Sequence, residues 1–236
     1  MRLPQWLRPT LLAPLLALSL GTAALPAAAG PVQVRDGNGG DVFNGGPGYR
    51  AVTIKVDAGS LSVAAGAFAL EYREGSSGGW TSFLTYCLEP DEWLGISGLT
   101  PHDGTLATNL ASTAEYAASG NAIARMAATW IADSFTSALK SAAFQVALWE
   151  LAYDSGSNLA TGAFQLVGSA DVRSQAELYL NAAGWQSAGA FGAILRDGNQ
   201  DLLFAVPEPR TILLFLVALS GLVFVLSRRW RLARHG

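Results

Sequence analysis

The chain has 236 residues, half of them hydrophobic, and a formal net charge of −3. Arg2, Arg8, Arg210 and the arginines beyond residue 227 lie near its two ends, so the region between them is clearly acidic and has no basic patch that would bind nucleic acid. Cys87 is the only cysteine, which excludes an intramolecular disulfide.

Residues 1–29 have the three parts of a secretory signal peptide. Arg2 and Arg8 supply a positive start, an apolar run covers 11–25, and small residues precede a cleavage site after Ala29. The alternative is a buried N-terminal helix, but Pro9, Pro14 and Pro26 would interrupt it. We therefore expect the remainder of the chain to be exported through the inner membrane.

A first group of elements is predicted to be loops and strands. Residues 30–48 are rich in Gly, Asp and Asn, which favours turns, and their start is expected to be poorly ordered. A calcium loop is the alternative there, although the spacing and terminal Glu of an EF-hand are missing. Alternating β-branched and aromatic residues predict strands at 49–56, 61–72 and 80–88.

The next part of the chain has apolar residues at helical spacing. Apolar residues at intervals of three and four predict helices over 121–139 and 141–153, and a third over 170–183 that is capped by Ser169 and ends before Gly184. A hairpin of residues 190–196 and 200–205 turns around Asp197-Gly198-Asn199. Strands, then helices, then strands predict one α+β domain over 30–205, with a mainly antiparallel sheet and a helical insertion.

Two short motifs carry candidate chemistry. TYCLEP covers residues 85–90 at the end of a predicted strand, and FQVALWE covers 144–150 on a predicted helix. The first resembles the aromatic-Cys-apolar-acidic motif of bacterial thioester domains, and the second their apolar-Gln-x-x-apolar-Trp motif. The resemblance spans 49–153 and implies an α+β fold in which Cys87 and Gln145 condense to an internal thioester. Those domains are best known from Gram-positive adhesins, so the resemblance implies thioester chemistry more than host-cell adhesion.

The residues themselves make such chemistry intelligible. A thiol that attacks a glutamine carboxamide expels ammonia and leaves an acyl-sulfur bond, which an amine or a hydroxyl can later take up. The reaction needs both groups in near-attack geometry and a dry surrounding. Helical spacing places Trp149 on the face of Gln145, where it can cover the bond, and Tyr86 could cover it from the strand side. Alternatively, Cys87 is a small buried hydrophobe, Gln145 bonds to backbone and Trp149 is plain core.

Other chemistry has weaker support. A Cys-His hydrolase would pair Cys87 with His102, the one histidine of the exported domain, but no third member is marked by spacing. One cysteine and one histidine cannot make a metal cluster, and no cofactor is indicated. Glu89, Asp91 and Glu92 are expected to form a solvated acidic turn.

The C-terminal end predicts a membrane span. Residues 211–227 are largely apolar, and Arg228 and Arg229 begin a basic tail that the positive-inside rule places in the cytoplasm. Before the span stand Val206, Pro207, Glu208 and Pro209, in which the prolines keep the chain extended and open to a protease.

Together these features of 206–236 resemble the PEP-CTERM sorting signal of Gram-negative bacteria. That resemblance implies an exosortase as partner, which would release the domain or transfer it near Pro207 to Pro209, and an association with exopolysaccharide and biofilm matrix. The alternative is an ordinary anchor with a proline linker.

The sequence therefore predicts a surface or matrix protein that is not an enzyme. Its thioester would attach it once, through Gln145, to an amine or hydroxyl partner, either a polysaccharide or a protein. A structural matrix protein with a free buried Cys87 is the main alternative, and a Cys87-dependent hydrolase is a further one.

Overall fold

A computed structural model describes residues 30–57, 59–154, 156–187 and 189–206. Three predicted features lie wholly or mostly outside these residues: the signal peptide 1–29, the membrane helix 211–227 and the sorting signal. The residues of the sorting signal that lie outside are Pro207, Glu208, Pro209, Arg228 and Arg229. Within the described ranges, no helix has the length and apolar character that a membrane crossing requires.

The described part is an α+β domain with antiparallel sheets, as the sequence predicts. Six strands form one sheet in the order β5-β4-β1-β6-β8-β9, and three form a second in the order β3-β2-β7. The strands are β1 (Gly30–Asp36), β2 (Tyr49–Val56), β3 (Gly59–Gly66), β4 (Phe68–Glu74), β5 (Thr81–Thr85), β6 (His102–Ala107), β7 (Phe164–Val167), β8 (Phe191–Leu195) and β9 (Leu202–Ala205).

The larger sheet closes on itself just beyond β5. Cys87 forms a bridge with Leu202 of β9, so the two outer strands of the sheet meet. Two backbone hydrogen bonds of 2.8 Å flank this bridge, from Leu88 N–H to Asp201 O and from Leu203 N–H to Tyr86 O. Closure leaves no free edge at this end of the sheet, and it makes the segment around Cys87 the seam of a barrel.

Three helices, α1 (Gly120–Ser134), α2 (Ala138–Tyr153) and α3 (Ala170–Leu180), pack beside the sheets. The middle of α2 is enclosed on all sides, because every residue from Ser141 to Leu151 is buried. It contacts α1 and α3 as well as the three-stranded sheet. A helix that is apolar all round fits only such a central position, and it carries Gln145 and Trp149 into the core.

Several predicted strands need correction. The start of the domain is not poorly ordered, because β1 lies between β4 and β6 and buries Val32 and Val34. The alternating pattern of β1 is short and is followed at once by glycines, so the sequence did not reveal this strand. The strand predicted over 61–72 divides at Ala67 into β3 and β4, which belong to different sheets, and β6 and β7 were not predicted.

The division of β3 from β4 has a local cause. A side chain at Gly66 would meet the backbone oxygen of Gly48 at 2.7 Å, so the chain passes very close to β2 as it leaves the smaller sheet. The N–H of Ala67 then donates to Ser141 Oγ on α2 at 2.8 Å instead of to a strand. The strand predicted over 80–88 likewise ends at Thr85, with Cys87 in a single bridge.

The helix boundaries also differ from the prediction. The helix predicted over 121–139 ends at Ser134, because Ser137 caps α2 by accepting a hydrogen bond from Lys140 N–H. Ser169 has a left-handed backbone (φ 50°) and makes no capping hydrogen bond with its side chain. The third helix ends at Leu180, and a short 3₁₀ turn at 182–184 includes Gly184. The hairpin of β8 and β9 is confirmed.

Ser141→Ala should lower the free energy of unfolding by about 1–3 kcal/mol, because the buried N–H of Ala67 loses its acceptor. Ser174→Ala on the exposed face of α3 is the matched control, with an expected change within about 0.5 kcal/mol. Urea unfolding of both variants checks this. Equal effects would mean that the Ala67 N–H does not depend on Ser141.

Candidate thioester site

The candidate site begins with the geometry of Cys87 at the barrel seam. Its bridge with Leu202 lies between two ladder hydrogen bonds, so it is a non-hydrogen-bonded antiparallel pair. In such a pair the N–H and C=O of the residue point away from the partner strand. Cys87 is 1 % exposed, so both groups need a partner inside the protein.

Gln145 on α2 satisfies both backbone groups. Its Oε1 accepts a hydrogen bond from Cys87 N–H at 3.1 Å, and its Nε2 donates to Cys87 O at 2.7 Å. The carboxamide thus occupies the place that a neighbouring strand would otherwise take. The two residues that the sequence pairs thus come together in the structure, with the amide held by two hydrogen bonds to the backbone of Cys87.

Trp149 lies one helical turn beyond Gln145 and contacts the sulfur. Its indole Nε1–H is 3.2 Å from Cys87 Sγ, and the side chain is 2 % exposed. The thiol itself is oriented toward the carbonyl oxygen of Glu89, at 3.7 Å. Burial raises the pKa of the Cys87 thiol to about 12, although the hydrogen bond that the sulfur accepts from Trp149 opposes that rise.

Tyr86 is fully buried and belongs to the same site by a different route. Its hydroxyl donates to Ser134 Oγ at 2.7 Å and lies 3.3 Å from Ser141 Oγ. Its ring stacks on Phe135 and packs against Phe144, the residue before Gln145. Tyr86 therefore supports the helix that carries the amide, and its role as a shield of the bond stays a prediction.

A groove of about 450 Å³ leads from the surface to the thiol. We call it the Cys87 groove. Cys87 and Trp149 form part of its wall, and it runs between β3, the loop around Phe43 and the segment 90–94. The other lining residues are Val42, Leu61, Ser62, Val63, Ala64, Phe68, Pro90, Asp91, Glu92, Trp93, Leu94 and Gln200.

The acidic turn after Cys87 is only partly solvated. Asp91 and Glu92 are exposed, as predicted, but Glu89 is half-buried and meets Glu115 and Asp201, with carboxylate oxygens within 4.8 Å of one another. Burial, followed by a hydrogen bond with Glu115, raises the pKa of Glu89 to about 8. Burial also raises the pKa of Asp201 to about 6. Sequence reasoning missed this cluster because its members are far apart in the chain.

His102, the predicted partner of a hydrolase, takes no part in this arrangement. It lies on β6 opposite Val34 of β1. The partners of the Cys87 thiol are Trp149 and the backbone of Glu89 instead. The geometry around the thiol therefore gives a Cys87-His102 pair no support.

Comparison with known proteins adds no family. No protein-family model, no curated protein and no solved structure matches the chain.

The carboxyl cluster predicts a pH dependence of stability. Because the folded-state pKa of Glu89 is raised from about 4.5 to about 8, its contribution to the free energy of unfolding is complete below about pH 4.5 and is lost as the pH rises through about 8. Glu89→Gln stays neutral, so its melting temperature should fall less than that of the wild type between mildly acidic and mildly alkaline buffers.

Glu92→Gln is the control for this measurement, since Glu92 is an exposed carboxylate three residues further on. Thermal melts of the three proteins across this pH range decide the matter. If the melting temperatures of wild type and Glu89→Gln change equally with pH, the pKa of Glu89 is not raised in the folded protein.

Proposed function

We propose that this is an exported surface or biofilm-matrix protein of a Gram-negative bacterium, sorted by an exosortase, whose domain holds an internal thioester between Cys87 and Gln145. The bond serves one covalent attachment, to an amine or hydroxyl of a polysaccharide or protein. That is single-turnover ligation and not enzymatic catalysis. Before processing, the precursor would cross the membrane once, through 211–227.

The observation that carries the proposal is the fixed position of the Gln145 carboxamide at Cys87. Two hydrogen bonds hold the amide, so little orientational freedom remains to be lost before the thiol reacts. The Cys87 N–H that donates to Oε1 is also placed to stabilise the negative charge that develops on this oxygen during attack. The nucleophile and its oxyanion donor thus belong to one residue.

The condensation balances without any cofactor. The sulfur of Cys87 attacks the carbonyl carbon of Gln145, the C–N bond breaks, and the thiol proton leaves with the nitrogen as ammonia. The raised pKa of the thiol keeps the thiolate scarce at neutral pH, so this step is slow. A slow step suffices, because each molecule forms the bond only once.

The surroundings suit the product as well as the reaction. Cys87, Gln145 and Trp149 are all almost completely buried, so bulk water has little access to the acyl-sulfur bond. A partner approaching through the Cys87 groove would meet the bond beside Trp149, whose N–H donates to the sulfur that leaves.

The main alternative function uses the same contacts differently. As a structural matrix protein with a free thiol, the domain would need Gln145 only to satisfy the backbone of Cys87. Titration of the folded protein cannot separate the two, because the raised pKa makes a free Cys87 thiol slow to react as well. The test must therefore detect the covalent bond itself.

The sorting part of the proposal rests on the sequence and on how the domain ends. β9 ends at Ala205, and the N–H of Val206 still donates to Ala190 O at 2.9 Å. The predicted recognition motif thus begins one residue after β9, at Val206.

The thioester predicts a joined pair of peptides. After digestion of the purified protein with pepsin in acid, the peptides that carry Cys87 and Gln145 should remain linked, with a mass about 17 Da below their sum. Cys87→Ala and Gln145→Ala should each abolish the linked pair. Methylamine added before digestion should replace it by a Gln145 peptide bearing the amine and a Cys87 peptide with a free thiol.

Trp149→Phe refines this experiment, since it keeps a buried ring and removes the N–H that reaches the sulfur. The linked pair should still form in this variant, and its reaction with methylamine should be slower because the leaving sulfur loses its donor. A folded wild-type sample that yields only separate peptides, with a free thiol and no methylamine adduct, would refute the thioester and leave the structural matrix function.

The sorting signal predicts processing at the C-terminus. In a strain with its exosortase, the mature protein should lack the residues from 212 onward, and Pro207→Ala combined with Glu208→Ala should leave full-length, membrane-bound protein. Glu177→Gln, at an exposed position on α3, is a control that should be processed normally. Retention of the hydrophobic tail in the wild type as well would identify an ordinary anchor.

A further inference from the structure

The Cys87 groove has an aromatic surface of unusual exposure. Trp93 is 88 % exposed, although large apolar side chains are normally covered. Its segment is nonetheless anchored, because its backbone oxygen accepts a hydrogen bond from Gln200 N–H at 3.0 Å and Arg196 donates to the oxygen of Leu94. An exposed indole on an anchored backbone, in the lining of a groove, offers a flat face on which a ligand can stack.

Several polar side chains of the groove offer hydrogen-bond acceptors, beside the hydroxyl of Ser62 and the indole N–H of Trp149. Asp91 and Glu92 stand beside Trp93 with exposed carboxylates, and Gln200 lines the groove further in. Gln200 is 9 % exposed, and its Oε1 has no hydrogen-bond partner within the described ranges. None of the described residues that line the groove is basic. Such a lining is complementary to a ligand that brings positive charge and hydrogen-bond donors.

We propose that the Cys87 groove binds an amino-sugar unit of a cationic polysaccharide, with the ring on Trp93 and the ammonium group at Asp91 and Glu92. This inference rests on the proposed thioester and names the partner class for it. The apolar face of a pyranose ring suits an indole, and its hydroxyl groups can donate to Gln200 Oε1. At about 450 Å³, the groove lies within the size range of sites for small ligands.

Two other classes of partner fit the observations less well. A neutral sugar would stack equally well on Trp93 and could donate hydroxyl hydrogen bonds to the two carboxylates, but it would leave their negative charge uncompensated, since no basic residue lines the groove. A lysine side chain would use the carboxylates, but its narrow stem would leave most of the groove unfilled and the acceptor of Gln200 unpaired. The amino sugar uses the aromatic face, the charge and the inner acceptor together.

The transfer uses a second amine of the same polysaccharide, on a neighbouring sugar unit. In its neutral form this amine attacks the carbonyl carbon of Gln145, the C–S bond breaks, and an amide forms. The amine proton passes to the departing sulfur, which becomes the free thiol of Cys87. Trp149 Nε1–H, 3.2 Å from Sγ, supports the charge on that sulfur as it leaves. No oxidant, metal or energy source is needed, because the thioester is already activated.

Binding can be measured apart from the bond by using full-length Cys87→Ala protein in detergent, which cannot form a thioester. Isothermal titration under mildly acidic conditions compares tetraglucosamine, tetra-N-acetylglucosamine and a lysine amide. Tetraglucosamine should bind at least about tenfold more tightly than either of the others, and added salt should weaken its binding. Equal binding of the acetylated oligomer, tighter binding of the lysine amide or no binding at all would overturn the proposal.

Variants in the same background locate the contacts. Trp93→Ala should weaken binding of tetraglucosamine by about tenfold, and Glu92→Gln by roughly threefold at low salt. The matched controls Leu99→Ala and Glu177→Gln replace exposed residues that do not line the groove, and they should bind like the parent. Losses of equal size in the controls would contradict a site in the groove.

The covalent step is tested in the wild type with the same sugars. Tetraglucosamine should appear as an adduct on the Gln145 peptide, faster than on the Trp93→Ala protein, while methylamine should react with both at similar rates. If methylamine gives no adduct, the thioester fails, and the titrations still decide whether the groove recognises amino sugars. If methylamine reacts and tetraglucosamine gives no faster adduct than the lysine amide, the partner class is wrong while the thioester stands.

Discussion

The pairing of the Gln145 carboxamide with the backbone of Cys87 is the interaction on which the rest of the structure depends. Closure of the barrel leaves the N–H and C=O of Cys87 directed away from β9, in a position where water does not reach them. A primary amide is the one side-chain group that offers a donor and an acceptor at the spacing of a strand backbone. Gln145 meets this need only because α2 is buried at the centre of the domain.

The same interaction joins stability to chemistry. The proposed condensation would remove Nε2 from Gln145 and with it the hydrogen bond to Cys87 O, while Oε1 would keep its bond from Cys87 N–H. One backbone acceptor is then left without its partner, which costs free energy in a buried place. The proposed covalent bond would compensate by fixing the barrel seam to α2 directly. A carbonyl with two lone pairs also tolerates the loss of a partner better than an N–H does.

The sequence indicated the pair but not the surface around it. Cys87 and Gln145 could be matched because the chemistry of each lies in a short local motif. β1, the closure by Leu202 and the cluster of Glu89 with Asp201 are different, because they are made by contacts between distant segments. Local patterns carry no information on which strands meet, so an acidic turn was expected where a half-buried carboxyl stands.

The contact of Trp149 with the sulfur bears on the choice between a reactive and a merely buried thiol. A neutral thiol or thioester sulfur is a weak acceptor, so an indole N–H placed 3.2 Å from it gains little in the resting protein. The same N–H gains much more when the sulfur carries negative charge, as it would when it leaves Gln145 in the proposed transfer. An interaction that strengthens only as charge develops lowers a barrier more than it stabilises a fold. A core that needed only a small apolar side chain at position 87 would not require such a donor there, and its presence therefore favours the reactive state of the cysteine.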